Sequence, residues 1–266
     1  MRRIFFFFIL LHCISLRSQE LTTGLIAEIP LEAQSFVGVD EFNSLYYINE
    51  NILYKKTSKK IFSYSNIELG ALRSVNIQNP FKIILFYADF NAVIILDNNL
   101  NELTQRIDFT QETKFNNVTQ VTGSSQNNIW LYADDNKLHL YDYLQYSEVL
   151  QTQATTFYDP EFNIKNLAST YKKVWILSEN SVIEFNEYGI YTQTYELDMP
   201  QHIFPFQKGF IYITGDSYFY QKPDESVKIN LEYDGLIHSR YVNSSNIFIY
   251  DGKVVYQYQI KRWKFL

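Results

Sequence analysis

The chain has 266 residues, 46% apolar and 20% charged, a globular composition with material for one large domain rather than two ordinary ones. Its net charge is −6 and no Lys/Arg cluster offsets it, which excludes nucleic acid as the expected partner. Its 22 Tyr and 21 Phe suit pleated, packed strands and point to an all-β class.

The first segment reads as an export signal. Arg2 and Arg3 supply a positive start, Ile4 to Leu11 is unbroken apolar, and His12 to Ser18 turns polar. That layout predicts a signal peptide over residues 1–18 and a single domain over 19–266, since the apolar run is too short to cross a bilayer. Removing it takes away three arginines and leaves 20 basic against 29 acidic residues. Cys13 is the only cysteine and, behind Leu10-Leu11-His12, is a candidate lipidation site. Cleavage beyond it leaves a chain without disulfides, which points to a bacterial periplasm or a face of the outer membrane. No other run reaches spanning length, so any membrane association is expected to be peripheral or lipid-anchored.

Six hairpin signals follow, each an apolar-aromatic run, a tight polar turn and a second run. Their turns centre near Glu50, Phe90, Asp135, Asn180, Asp216 and Gly252, at successive offsets of 40, 45, 45, 36 and 36. A strand repeat of that length predicts a propeller with one four-stranded blade per repeat. The first repeat offers 34–38, 45–49, 52–56 and 60–65, and the second offers 74–78, 82–87, 92–97 and 103–109. The third and fourth run 118–152 and 164–197 on the same plan. Second strands such as Ile129-Trp-Leu-Tyr132 and Val174-Trp-Ile-Leu177 are apolar at every position. Continuous apolarity means both faces are covered, as between stacked blades.

The last repeat offers only 237–242, 247–250 and 254–259, while Leu25–Leu31 precedes the first repeat without a hairpin of its own. The expected architecture is therefore a six-bladed propeller closed by pairing of the N- and C-terminal strands, with Leu25–Leu31 as the outer strand of the final blade. Closure removes free edges.

Asn128-Ile-Trp-Leu with Leu138-His-Leu-Tyr-Asp142, and Val174-Trp-Ile-Leu with Val182-Ile-Glu-Phe-Asn186, resemble the short repeats of exported bacterial propellers, the periplasmic sensor and secretion-accessory type. The resemblance implies a fold and an exported bacterial setting. It carries over no catalytic residue.

Chemistry is sparse. His139, His202 and His238 remain after the signal, without metal-ligand spacing, so no metal site, cofactor or catalytic residue is expected. His139 reads as structural, whereas His202 and His238 each start an innermost-strand region and are candidates to face the channel. The longest linker carries Phe157, Tyr158, Asp159 and Phe162, either packed on the rim or offered to a partner. The expected function is a non-enzymatic interaction scaffold or accessory subunit bound to a protein of the cell envelope. Two alternatives stay open. One is a lactonase-like hydrolase whose channel metal would draw on Glu32, Asn76, Asn117, Asn166 and Asp234; the other is a carbohydrate-binding propeller.

Overall fold

The computed structural model describes residues 21–112 and 117–261. Residues 1–20, which hold the expected signal peptide and Cys13, and residues 262–266 lie outside the described residues. Among the described residues there are twenty-four strands, and consecutive strands within each repeat pair antiparallel through short turns. Asn and Glu take positive φ at several of these turns, as at Glu50, Asn51, Asn91 and Asn136, where tight hairpins demand left-handed backbone.

Four sheets have four strands each and follow sequence order. The fifth has eight. It runs from His202–Phe206 through Ser226–Asn230, passes to Leu21–Pro30, and continues through Val254–Lys261 and Asn246–Tyr250 to Ser239–Val242. Two parallel pairs, Leu21 with Ile229 and Thr22 with Asn230, make the join. The pairing of Leu21–Pro30 with Val254–Lys261 is far longer and antiparallel, from Thr22–Lys261 to Pro30–Val254. Taken at that weak join, the eight-stranded sheet splits into two groups of four, each counted below as a blade. The closing strand is the one expected, but it starts four residues earlier, at Leu21.

The core lies between the sheets rather than inside them. Each of six apolar clusters is shared by two neighbouring groups of four strands. One joins Leu31, Phe36 and Leu45 near the N-terminus to Phe248, Tyr250 and Val255 near the C-terminus, so the last group packs on the first. Ile83–Tyr87 and Ala92–Leu96 are buried at every residue, the two-sided covering that their continuous apolarity requires. Trp130 and Trp175 sit at the third position counted from Asn128 and Lys173 of their strands, 1% and 0% exposed.

One predicted strand fails. Residues 103–109 keep only Ile107–Asp108 as strand. The cause is a slip of register: after the turn at Asp97, Glu102 bridges to Leu96 and the Leu103 N–H reaches the Ile95 carbonyl, but Ile107 pairs with Val93, two residues out of step, so residues 104–106 are left outside the ladder.

The candidate functional site: a central channel and two loop faces

The six innermost strands, 35–39, 74–76, 118–123, 166–169, 202–206 and 239–242, surround a cavity of about 460 Å³. That lies within the range of small-molecule pockets. One side of its wall carries a belt of amides and hydroxyls. Asn76 Nδ2 donates to Thr122 Oγ1 at 3.0 Å, Thr122 and Ser169 share a hydrogen bond at 3.0 Å, and Ser169 Oγ donates to the Gly123 carbonyl at 2.6 Å. This belt ties three blades together across the channel.

The opposite wall is aromatic and charged. The Tyr241 ring packs against Gly38, where any Cβ would stand 2.7 Å from it, and edge-on to Phe204. Only glycine permits that approach. Burial, then the Asp40 charge, pushes the Tyr241 hydroxyl well above the ordinary tyrosine value. Asp40 is itself buried, accepts from Tyr46 OH at 3.0 Å and lies 3.5 Å from the buried Lys55 ammonium. At the other mouth Arg240 reaches Asp216 at 2.7 Å. His202 keeps an accessible edge, yet the protein around it, and secondarily Arg240, push its pKa below the ordinary histidine value.

His202 lines the channel; His238 does not, its ring resting over Gly252 and 6.3 Å from that of Tyr250. Asn76 and Asn166 also line the wall, while Glu32, Asn117 and Asp234 do not. Among the described residues no three His, Cys, Asp or Glu side chains converge as metal ligands. His139 is buried between Glu148 at 2.8 Å and Asp135 at 3.1 Å, the structural role expected of it.

The 153–163 linker divides. Phe162 is buried, Tyr158 stacks on Tyr191 at 4.3 Å, and Asp159 is bound into the turn through the Thr155 carbonyl and the Glu161 N–H. Phe157 alone of the four projects, 74% exposed.

Besides Asp40 and Lys55, sequence reasoning does not find two further buried charges, Glu184 and Lys82. Glu184, 2% exposed, accepts from Trp175 Nε1 at 2.7 Å, Lys173 Nζ at 2.7 Å, Thr192 Oγ1 at 2.9 Å and Tyr195 OH at 3.0 Å. Burial alone pushes its carboxyl up, but the hydrogen bonds from Lys173, Trp175 and Thr192 outweigh that and hold it below the ordinary range. Lys82 donates to the Ser124, Gln126 and Asn128 carbonyls at 2.7–3.0 Å, and burial lowers its pKa to about 8. The available signal for both was a charge set against an apolar run, in Val182-Ile-Glu-Phe and Lys82-Ile-Ile-Leu.

Solved structures share this architecture. The WD40 domain of Neurospora crassa Pan2 matches with TM-score 0.58 at 12% identity, over 87% of this chain and 76% of that one. Virginiamycin B lyase of Staphylococcus aureus, as a catalytically inactive variant with quinupristin, matches with TM-score 0.62 at 10% identity, over 89% and 99%. BamB of Moraxella catarrhalis matches with TM-score 0.57 at 9% identity, over 92% and 99%. The chain is an all-β propeller. No protein-family model and no curated protein matches it by sequence. Identities this low carry the fold and not the activity. No helix among the described residues is long and apolar enough to cross a membrane.

Proposed function

We propose that this propeller is a non-enzymatic, exported scaffold or accessory subunit that binds a protein of the bacterial cell envelope through its loops. The observation that carries the reading is where the exposed apolar side chains lie. Phe42, Phe81, Tyr171 and Tyr188 stand on the loops of one face, and Ile67, Phe157, Met199 and Leu236 on those of the other, all more than half exposed. Large apolar side chains on loops held by a rigid ring suit protein contacts. The signal-like residues 1–18 support export, and BamB and the Arl6-bound BBS1 domain are propellers of similar fold.

A channel ligand is the second reading, favoured by the 460 Å³ cavity with His202 on its wall. The two part experimentally. Affinity-tagged full chain, cross-linked in native cells, is expected to fractionate with the envelope and to retain one envelope protein in stoichiometric amount. A cytosolic chain without a retained protein would sink the scaffold reading.

A further inference from the structure

The two faces of the ring differ in charge, and the difference is legible turn by turn. On one face lie the turns between second and third strands together with the segments that lead from blade to blade. Backbone hydrogen bonds join the two sets, as from Asp134 to Asn117, Thr155 to Asn136 and Leu197 to Asn180. Every one of its hairpin turns carries an acid: Glu50, Asp89, Asp135, Glu179, Asp216 and Asp251. Over all loops of this face, leaving out residues 111–116, fourteen acidic residues stand against four basic ones. The four are Arg73, Lys137, Lys165 and Lys253, of which Lys137 and Lys165 already lie within 4.0 Å of Asp135 and Glu179. The loops of the opposite face balance at seven acidic and seven basic.

Turn chemistry explains part of the excess, since Asp251 and Asp135 accept backbone N–H groups within their own turns. It does not explain Glu50 and Glu179, nor acids on the blade-to-blade segments such as Glu68, Asp198 and Asp234. Exposed apolar side chains stand among these acids on four blade-to-blade segments and one hairpin turn: Ile67 at 93%, Leu236 at 78%, Phe157 at 74%, Met199 at 69% and, on the turn, Phe90 at 49%. A field of one sign steers the opposite charge, and exposed apolar residues within it anchor an apolar counterpart.

We infer that this acidic face docks a basic amphipathic segment of a partner protein, with Lys or Arg interspersed among large apolar side chains. The inference rests on the scaffold reading above and names its face and its partner's chemistry. A membrane surface is the wrong occupant, because anionic headgroups would meet like charge. A neutral glycan would leave the carboxylates unused.

The test uses the full chain and a synthetic Lys/Leu amphipathic peptide, followed by fluorescence anisotropy. Binding is expected to be at least about tenfold tighter than to a Lys/Ser peptide of equal charge, and to weaken steeply between about 50 and about 300 mM salt. Reversing four exposed acids together (Glu50→Lys, Asp89→Lys, Glu179→Lys and Asp198→Lys) should weaken it at least about tenfold. Reversing Glu187, Asp224 and Glu225 on the opposite face should change it less than about twofold. Ile67→Ser with Leu236→Ser keeps every charge and should cost several-fold affinity while the salt dependence persists. Equal loss from the two charge reversals, or equal binding of the Lys/Ser peptide, overturns the inference. So does calcium that abolishes peptide binding while raising the melting temperature, which would mark the carboxylates as a cation site. A partner cross-linked only to the opposite face sinks this inference and spares the scaffold; no partner on either face sinks both.

Discussion

Trp130 and Trp175 hold equivalent places in adjacent blades, yet their surroundings part company on the next strand. Trp130 pairs across to Leu140 and Trp175 to Glu184. The first joins a wholly apolar cluster between the third and fourth blades. The second stands over a carboxylate with four donors, walled by Ala168, Leu177, Tyr195 and Phe210 between the fourth and fifth. One fold position thus accepts either chemistry, on a condition. An apolar residue needs only volume, whereas a buried carboxylate needs every lone pair answered.

The largest effect should come from removing the indoles. Trp130→Ala should cost about 3–5 kcal/mol in chemical unfolding, the range for a large aromatic lost from a core. Trp175→Ala should exceed it by about 1–3 kcal/mol, because Glu184 also loses its Nε1–H donor while staying buried. Equal losses for the two variants would erase the distinction between the junctions, and near-neutral variants would show both indoles to be exposed.

Next in size is the carboxylate. Glu184→Gln keeps the shape but turns an amide N–H toward groups that are themselves donors, and should cost about 1–3 kcal/mol. Leu140→Gln, the matching change in the apolar junction, introduces a polar group with no partner and should cost at least as much. If Leu140→Gln proved the milder, the apolar junction would be the more permissive of the two, against this account.

Acid should separate the junctions more gently. Glu184 titrates below its ordinary 4.5 in the folded protein, so the unfolded chain takes up that proton first as the pH falls. Its stabilisation is complete above about 4.5 and is lost as the pH drops through the lower folded value. Unfolding followed from pH 7 to pH 3 should therefore slope less steeply in Glu184→Gln than in the parent, and an unchanged slope would contradict the donor count.

The smallest effect belongs to His202. Its folded pKa also lies below the ordinary 6.5, so its share of stability is present above 6.5 and fades toward acid. Proton NMR should place the ring's titration midpoint below 6.5. A midpoint at about 6.5 would mean that the channel solvates the ring freely.

Much of the fold was legible in local pattern. The hairpin spacing, the apolar second strands and the unpaired strand ahead of the first repeat led to stacked sheets and to the closure that Thr22–Pro30 makes with Val254–Lys261. Such features are written in neighbouring residues, because two-sided burial demands continuous apolarity and a tight turn demands Asn, Asp or Gly. The site was less legible. His202 opens its strand opposite Ile213, whereas His238 stands one residue ahead of Ser239, which opens the next opposite Tyr250, so only the first lines the channel and the second rests over Gly252.

The sequence by itself determined the strand class, the repeat, the closing strand and the burial of both tryptophans, since each follows from alternation, spacing and turn chemistry along the chain. Only the tertiary structure decided that Asp40 meets Lys55, that Lys82 fills with its ammonium a ring of carbonyls from the next blade, and that Tyr241 lies on Gly38 some 200 residues away. It also decided that acids spread over six hairpin turns share one face. Those relations join residues distant along the chain, and no local periodicity encodes them. Asp40 and Lys55 meet within one blade, Lys82 and its carbonyls meet where adjacent blades stack, and Tyr241 meets Gly38 only because the ring closes.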